Sequence, residues 1–255
     1  MKARILNVKE LVQVGFGAFG LRLTRLRNEP ANLTQQDRFF LALKARGFSP
    51  KHIVDVGANH GWWTRAALNY FPDSYYTLIE PQDHLKKDVQ DLLAREGGKI
   101  RWIGAGVSDK PGALPFTISH RDDSSTFVIT SEAAKALGMC QTEVPMVTLN
   151  EIVRTSRAPF PEMVKIDAEG FDLKVIAGAS DLLGKTDIFI LETAICSPNV
   201  ENNIENVMST LSQAGYHVID IPGLNRSPKY GVLWLCDLAF LRNESPLMAE
   251  INSYE

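Results

Sequence analysis

Short apolar runs and amphipathic stretches alternate along the chain from residue 35 onward. Apolar residues recur at helical spacing between Gln35 and Arg46, after Thr34, which suits an N-cap, and before Gly47, which ends such a helix. Further on, the pattern predicts strands over 52–56, 75–79 and 100–105 and helices over 62–70 and 83–95. Strand–helix alternation of this kind is typical of a parallel sheet with helices on both faces.

The pattern loses its regularity in the middle of the chain and regains it afterwards. Strands are predicted at 113–119, 144–148, 163–167, 187–192, 216–221 and 232–242, with a polar loop at 120–126 and helices from 149, at 171–177 and at 201–214. Only the loop 222–231 separates the last two strands, and strands without a crossover helix pair most simply in antiparallel fashion. We therefore predict an α/β fold ending in an antiparallel hairpin, with a helical arm over 1–48 and one main domain over 49–255.

Composition and charge narrow the class of protein. The 255 residues include 27 Lys and Arg against 30 Asp and Glu, and 45% are apolar, so a core can form without disulfide or metal support. A near-neutral chain lacks the broad basic surface used to bind nucleic acid, and we expect no nucleic-acid partner. The three cysteines are odd in number and not at metal-ligand spacing, which indicates free thiols in a reducing, cytoplasmic compartment.

The first 27 residues carry six basic side chains against one acidic side chain. An apolar stretch, 11–21, lies between these charges; it is too short to span a bilayer, and no signal-cleavage pattern follows it. One interpretation is a helical arm that packs its apolar side on the main domain. The other is an interfacial segment, in which residues 1–27 hold the protein at the anionic inner face of a membrane. The sequence leaves both interpretations open.

A glycine-rich turn between the first strand and its helix is the sharpest local motif. The segment Asp55–Gly61 reads Asp-Val-Gly-Ala-Asn-His-Gly, and Glu80 ends the next predicted strand, where a carboxylate can bind both hydroxyls of a ribose. The dinucleotide fingerprint G-x-G-x-x-G fails because Asn59 and Trp62 occupy its second and third glycine positions. The spacing D-x-G-x-x-x-G instead resembles the S-adenosylmethionine loop of Rossmann-like methyltransferases. The alternatives are a nucleotide- or dinucleotide-dependent oxidoreductase on a Rossmann sheet and a non-catalytic binding module of the same fold.

Charged residues occupy a strand that a parallel sheet would bury. Met163, Lys165 and Asp167 share one face of their strand, Glu169 follows, and Glu192 ends the neighbouring strand. One interpretation is an ion pair between Lys165 and Asp167 or Glu192 that stabilises the sheet. The other is a polar floor of a ligand crevice, because the carboxyl ends of parallel strands open into such crevices. The two interpretations are compatible.

Several motifs in order make the resemblance to a family specific. The chain resembles the FkbM-type methyltransferases over residues 50–242, in the segments 55–61, 107–109 with Gly112, 122–125, 147–152 and 164–178. The resemblance implies a Rossmann-like class I methyltransferase fold, with a seven-stranded, mostly parallel sheet and a C-terminal antiparallel hairpin. It also implies S-adenosylmethionine as cofactor and O-methylation of a hydroxyl on a sugar, glycolipid, polysaccharide or polyketide-like acceptor.

The resemblance assigns expected roles to individual residues. Cofactor binding is expected of Asp55, Gly57, Ala58, Asn59, Gly61, Glu80, Pro81, Val107 and Ser108. The reaction centre is expected to contain Lys165, Asp167, Glu169 and Glu192. From the chemistry of the residues themselves, we expect Asp167 or Glu169 as the base. Ser124 and Ser125 of the polar loop, with His60 and Trp62, where the family is variable, are expected to contact the acceptor. We expect no metal, because no histidine lies at ligand spacing beside these acids. The expected partner is a small-molecule, sugar or glycolipid acceptor, and the oligomeric state is left open.

Overall fold

Helices and strands alternate along the part of the chain that the computed structural model describes, residues 32–95, 98–119, 124–197 and 199–249. The first elements are α1 (Gln35–Ala45), β1 (His52–Val56), α2 (Trp62–Leu68), β2 (Tyr75–Ile79), a 3₁₀ helix (Asp83–Val89), α3 (Gln90–Leu93) and β3 (Ile100–Ile103). The middle elements are β4 (Gly106–Val107), β5 (Gly112–Ile118), α4 (Ser131–Ala136), β6 (Cys140–Val147) and α5 (Leu149–Thr155). The last elements are β7 (Met163–Ile166), α6 (Asp172–Ala177), β8 (Ile188–Ala194), α7 (Ile204–Gln213), β9 (Tyr216–Arg226), β10 (Leu233–Arg242) and a 3₁₀ helix (Pro246–Met248).

The chain divides into two units, Met1–Leu33 and Thr34–Glu255, and all of these elements lie in the second. The predictions for residues 1–27, and for residues 120–123 of the polar loop, concern positions outside the described part of the chain. Among the described residues, every helix is too short or too polar to cross a membrane.

One mixed sheet forms the centre of the fold. Its strand order is β3-β2-β1-β7-β8-β10-β9. The strands from β3 to β8 pair in parallel, and β10 is antiparallel to both β8 and β9. This arrangement confirms the predicted seven-stranded, mostly parallel sheet with an antiparallel C-terminal hairpin. The chain order reverses between β1 and β7, and ligands of open α/β sheets bind at the carboxyl ends of the strands beside such a reversal.

Alternation along the buried strands divides the core between the two faces of the sheet. Val164 and Ile166 pack in one apolar cluster, whereas Met163 packs in the other. Helix α1 covers the second face with Phe39 and Phe40, and its first turn is closed by a reciprocal pair of hydrogen bonds between Thr34 and Asp37. Burial of both phenylalanines, each worth about 1.5–3 kcal/mol, holds α1 on the sheet.

The middle of the chain forms a second, smaller sheet with the order β4-β6-β5. The sequence pattern predicted two short strands here and missed both α4 and the first half of β6. Half of the residues of β6 are exposed, three of them among its first four, so the strand has no continuous apolar face for the pattern to reveal. Another difference concerns 83–95, which forms a 3₁₀ helix followed by a single α-helical turn instead of one long helix.

The C-terminal hairpin is longer than predicted. Strand β9 runs on to Arg226 through Pro222 and Gly223, two residues that favour turns, so the sequence pattern ended the strand at Ile221. A proline is tolerated here because β9 is an edge strand of the sheet. Register shifts between β9 and β10 interrupt the pairing in three places.

Candidate active site

A row of acidic side chains lies at the carboxyl edge of the main sheet. Strand register aligns Asp55 of β1 with Lys165 of β7, and Glu192 of β8 lies directly opposite Asp237 of β10. Because side chains alternate along a strand, positions two residues beyond Asp55 and Lys165 fall on the same face. The acidic row therefore consists of Glu80, Asp167, Glu192 and Asp237 in order across the sheet, and Gly57 lies between Glu80 and Asp167.

Lys165 provides the positive charge beneath this row. Its side chain is buried, and its Nζ lies 2.7 Å from Oδ2 of Asp167. Burial alone would lower the pKa of Lys165, but the carboxylates of Asp167, Asp55 and Asp237 raise it above its usual value. The ion pair expected from the sequence is therefore present, with Asp167 as the partner of Lys165.

Asp237 is a member of the row that sequence analysis missed. It lies in the middle of β10, opposite Gly223, and burial raises the pKa of its carboxyl. A Cβ on Gly223 would lie 2.1 Å from Asp237 Oδ2, so only glycine leaves room for this carboxylate. The sequence carries a weak signal for it, since Asp237 interrupts an otherwise apolar strand.

Glu192 is the acid whose ionisation the site disfavours most clearly. Burial, followed by repulsion from Asp167 and Glu169, raises the pKa of Glu192 to about 9. The site therefore favours the protonated form of this carboxyl group, which can donate a hydrogen bond.

Asp55 supports the glycine-rich turn from behind. It is fully buried, and its Oδ2 accepts a 2.6 Å hydrogen bond from the Thr64 hydroxyl of α2. Its other oxygen has no hydrogen-bond partner among the described residues, and burial raises its pKa. Asp55 thus fixes α2 against β1 rather than facing the cavity.

The turn itself depends on two glycines with positive φ. Gly57 has a φ of 75°, and a Cβ there would lie 1.8 Å from the carbonyl oxygen of Asp167. Gly61 also has a φ of 75°, and a Cβ there would lie 2.8 Å from Val89. Both glycines therefore let neighbouring segments approach closely, in addition to shaping the turn.

Glu80 points its carboxylate into the turn from the end of β2. It accepts hydrogen bonds from the backbone N–H groups of Asn59, at 2.9 Å, and Gln82, at 3.0 Å. Burial raises the pKa of Glu80, while these two bonds act in the opposite direction. The carboxylate is held in one orientation, beside the space where a ribose would lie.

A cavity of about 90 Å³ opens between the turn and the small sheet. Its lining combines backbone of the turn, the acidic row and apolar walls: Val56, Gly57, Asn59, Ile79, Glu80, Pro81, Gln82, Ala105, Gly106, Val107, Phe116, Ser125, Phe127, Asp167, Ala168 and Glu169. Sequence analysis missed the aromatic walls of the cavity. Phe116 lies on β5, and Phe127 lies in the segment between β5 and α4. Their rings are 4.6 Å apart.

The cavity by itself is smaller than the roughly 300–1,000 Å³ that ligand sites usually offer. It adjoins two larger cavities, of about 660 and 570 Å³, through the shared residues Asp167, Glu169 and Phe127. The lining suits an adenosine that ends in a cationic group. At one end the buried Glu80 carboxylate faces apolar and aromatic walls, and at the other end lie the acids Asp167 and Glu169. We therefore infer that an extended cofactor passes from the Glu80 end toward Glu169.

The structure brings some of the predicted site residues together and places others elsewhere. The cavity is lined by Gly57, Asn59, Glu80, Pro81, Val107, Ser125, Asp167 and Glu169, and the adjoining cavities by Ser124 and Glu192. Asp55, Ala58 and Lys165 are buried behind the lining, and Gly61 packs on Val89. Ser108 binds Asp109 and lines a separate cavity, His60 contacts Asp88, and Trp62 is 71% exposed. The site roles that the sequence analysis gave to all of these residues stay predictions.

Three of the acids could also hold a metal ion. Asp167, Glu169 and Glu192 offer carboxylate oxygens that lie within 4.8 Å of one another, and such oxygens suit Mg²⁺ or Ca²⁺. Glu169 has a φ of 49°, uncommon for a residue with a side chain, and its carbonyl accepts a 2.8 Å hydrogen bond from Thr126. The expectation of no metal stays a prediction.

Comparison with known proteins identifies similar sequences and folds. The sequence model described as Methyltransferase FkbM domain matches residues 55–218. The hexuronic acid methyltransferase AglP of Haloferax volcanii is 25% identical over 148 residues, which are 55% of this chain and 54% of AglP, so the chain matches about half of that relative's length.

Solved structures resemble the chain at low sequence identity. The N-methyltransferase NodS of Bradyrhizobium japonicum is 11% identical, with a TM-score of 0.47 over 81% of this chain and 94% of NodS. The 1,6-didemethyltoxoflavin-N1-methyltransferase of Burkholderia thailandensis is 14% identical, with a TM-score of 0.45 over 95% of this chain and 93% of its own.

Proposed function

Because this chain belongs to the FkbM methyltransferase family, whose domain model matches residues 55–218, we propose that it methylates a hydroxyl group of a sugar-like acceptor. The match confirms the family resemblance, the Rossmann-like fold and the S-adenosylmethionine cofactor expected from the sequence motifs. The single observation that carries the proposal is the acidic row, which joins the cofactor cavity to an adjoining groove. The name of the relative AglP, a hexuronic acid methyltransferase, supports an acceptor of the sugar class.

Residues of the turn and of β2 would hold the cofactor. The Glu80 carboxylate, fixed by the N–H groups of Asn59 and Gln82, would accept hydrogen bonds from the ribose hydroxyls. Phe116 and Phe127 offer apolar faces for the adenine. Negative charge at Asp167 and Glu169 would favour the cationic end of the ligand over a pyrophosphate, which would be repelled.

The acids where the cofactor cavity adjoins the two larger cavities would remove the proton from the acceptor hydroxyl. When bound, S-adenosylmethionine would supply the methyl group. The methyl group would pass from the sulfur, where the bonding electron pair stays, to the acceptor oxygen. Glu169 lines all three cavities and is the base in our proposal. Asp167 lies against the Lys165 ammonium, which stabilises its charged form and makes it the weaker proton acceptor. Asp167 then orients the acceptor, and the protonated Glu192 donates a hydrogen bond to it.

Calorimetry and label transfer test the proposal together. We expect heat of binding with S-adenosylmethionine and none with NAD, and transfer of tritium from methyl-labelled cofactor into a glycolipid, polysaccharide or small-sugar fraction. Binding of NAD alone would support a dinucleotide-dependent oxidoreductase instead. Binding of S-adenosylmethionine without transfer into any such fraction would indicate a binding module or a different acceptor class, and either result would overturn the proposed function.

A further inference from the structure

A groove runs from the cofactor cavity toward the β9–β10 hairpin. It consists of the two larger cavities, which share Glu169, Glu192, Trp234 and Leu235 in their lining. Glu169 also lines the cofactor cavity. A ligand in this groove would therefore reach the acidic row directly, while the rest of it lay against the hairpin.

Trp234 owes its position to an irregularity in the hairpin. Leu233 pairs with Arg226 and Leu235 with Asn225, so Trp234 is an extra residue in β10 with no counterpart in β9. Such bulges re-aim side chains and are frequent beside active sites. Trp234 lines both halves of the groove and remains 43% exposed, which leaves an indole surface available to a ligand.

Acids predominate among the ionisable side chains that line the groove. The ionisable side chains in its described lining are Asp167, Glu169, Glu192, Glu201 and Tyr230, and none of the described lining residues is basic. Three cations contact this lining from outside it. Lys165 lies 2.7 Å from Asp167, Lys174 lies 3.7 Å from Glu201, and Lys229 lies 4.8 Å from the centre of the Tyr230 ring.

We propose that this groove is the acceptor subsite and that it selects an uncharged sugar ring, packed on Trp234, over a ring that carries a carboxylate. The inference rests on the proposed function and adds the class of acceptor to it. A sugar ring has an apolar C–H face, which suits an indole, and hydroxyl edges, which donate hydrogen bonds to carboxylates. A carboxylate on the same ring would face the acidic lining without a basic partner among the described lining residues, and like-charge contact disfavours binding.

The first experiment measures the role of Trp234. We expect Trp234→Ala to raise the KM for a neutral glycoside roughly tenfold, with the Kd for S-adenosylmethionine unchanged, because only the acceptor contact is lost. Leu224→Ala is the matched control, since Leu224 is 53% exposed on the same hairpin and lies outside the groove lining. Equal KM values for Trp234→Ala and the unmodified chain would overturn the assignment of the subsite.

The second experiment measures charge selection. Tritium transfer is compared for matched pairs of methyl glycosides with gluco, galacto and manno rings, each a neutral hexoside and the hexuronoside that differs only in its carboxylate. We expect transfer to the neutral member of a pair to exceed transfer to its uronoside. We also expect Glu201→Lys to narrow this difference, because it replaces a carboxylate of the groove rim with a cation. Each comparison is made with EDTA and with Mg²⁺.

The outcomes separate the two proposals. Preferential transfer to a hexuronoside, with or without Mg²⁺, would overturn the inference about the acceptor and leave the proposed O-methylation standing. Transfer to no glycoside, and to no host glycan fraction, would overturn the proposed function and the inference with it.

Discussion

Among the described residues, Glu169 alone lines the cofactor cavity and both halves of the proposed acceptor groove. Asp167, a member of the acidic row two residues earlier in the chain, forms a 2.7 Å ion pair with Lys165. Two carboxylates separated by a single residue thus have different surroundings, and different surroundings suit different roles. The sequence analysis expected both acids in the reaction centre but could not say which is the better proton acceptor, because that depends on which of them contacts Lys165.

We expect Glu169→Gln to lower kcat by roughly 10²–10⁴-fold, since the variant keeps the size of the side chain but cannot accept the hydroxyl proton. Binding of S-adenosylmethionine, measured by calorimetry, should stay intact. Asp167→Asn is the matched comparison and should raise the acceptor KM more than it lowers kcat. Full turnover by Glu169→Gln would remove Glu169 as the base.

Asp172 makes stability depend on pH. Burial, followed by repulsion from Asp167, raises its pKa to about 7, and Asn202 donates a 3.0 Å hydrogen bond to its carboxylate. Because the folded state binds the proton more tightly than the unfolded chain, this group stabilises the fold fully below about pH 4. The contribution is lost as the pH rises to about 7.

The Asp172→Asn variant should lose this dependence. We expect its free energy of unfolding in urea, relative to the unmodified chain, to rise by about 1–3 kcal/mol between pH 4.5 and pH 8. Asp73→Asn, at an exposed position, is the control and should show no such trend. A constant difference between Asp172→Asn and the unmodified chain at both pH values would contradict the assignment.

At the scale of elements, the β9–β10 hairpin brings together features that lie far apart in the chain. Its shifts in register place Trp234 in the groove, and the Gly223–Asp237 pair places a buried carboxylate at the end of the acidic row. The positions of the parallel strands followed, to within a few residues, from their apolar runs. The hairpin did not, because an edge strand with Pro222 and Gly223 lacks the pattern of a buried strand.

Gly223→Ala tests this packing. The added methyl group would meet the Asp237 carboxylate, so we expect a loss of about 1–3 kcal/mol in the free energy of unfolding. Asp237→Ala removes the obstacle, and the double variant should lose less than the sum of the two single variants. Strict additivity in urea unfolding would show that the two residues are not in contact.

For the whole molecule, the contrast between the N-terminal 27 residues and the rest raises the question of membrane contact. Six of those residues are basic and one is acidic, although the whole chain has a net charge of −3. A basic segment with an apolar centre suits an anionic bilayer surface, where electrostatic attraction and apolar burial act together. An acceptor carried by a lipid would then lie close to the enzyme.

We expect the full chain to co-sediment with vesicles that contain phosphatidylserine and to remain in solution with phosphatidylcholine vesicles alone. Deletion of residues 1–27 should abolish sedimentation while S-adenosylmethionine binding, measured by calorimetry, persists. Equal sedimentation by the full and shortened chains would favour the other interpretation, an arm that packs on the main domain.

The sequence by itself determined the α/β class, the parallel direction of the early strands, the glycine-rich turn and most of the acids at the carboxyl edge of the sheet. These features are local, since hydrophobic periodicity and turn chemistry act over a few residues and a parallel sheet aligns its carboxyl ends. Only the tertiary structure decided that Asp55 supports the turn from behind and that Phe116 and Phe127 wall the cavity. It also decided that Asp237 lies in the acidic row and that Trp234 lines the groove. Those roles depend on strand register and on contacts between distant segments, which no local pattern encodes.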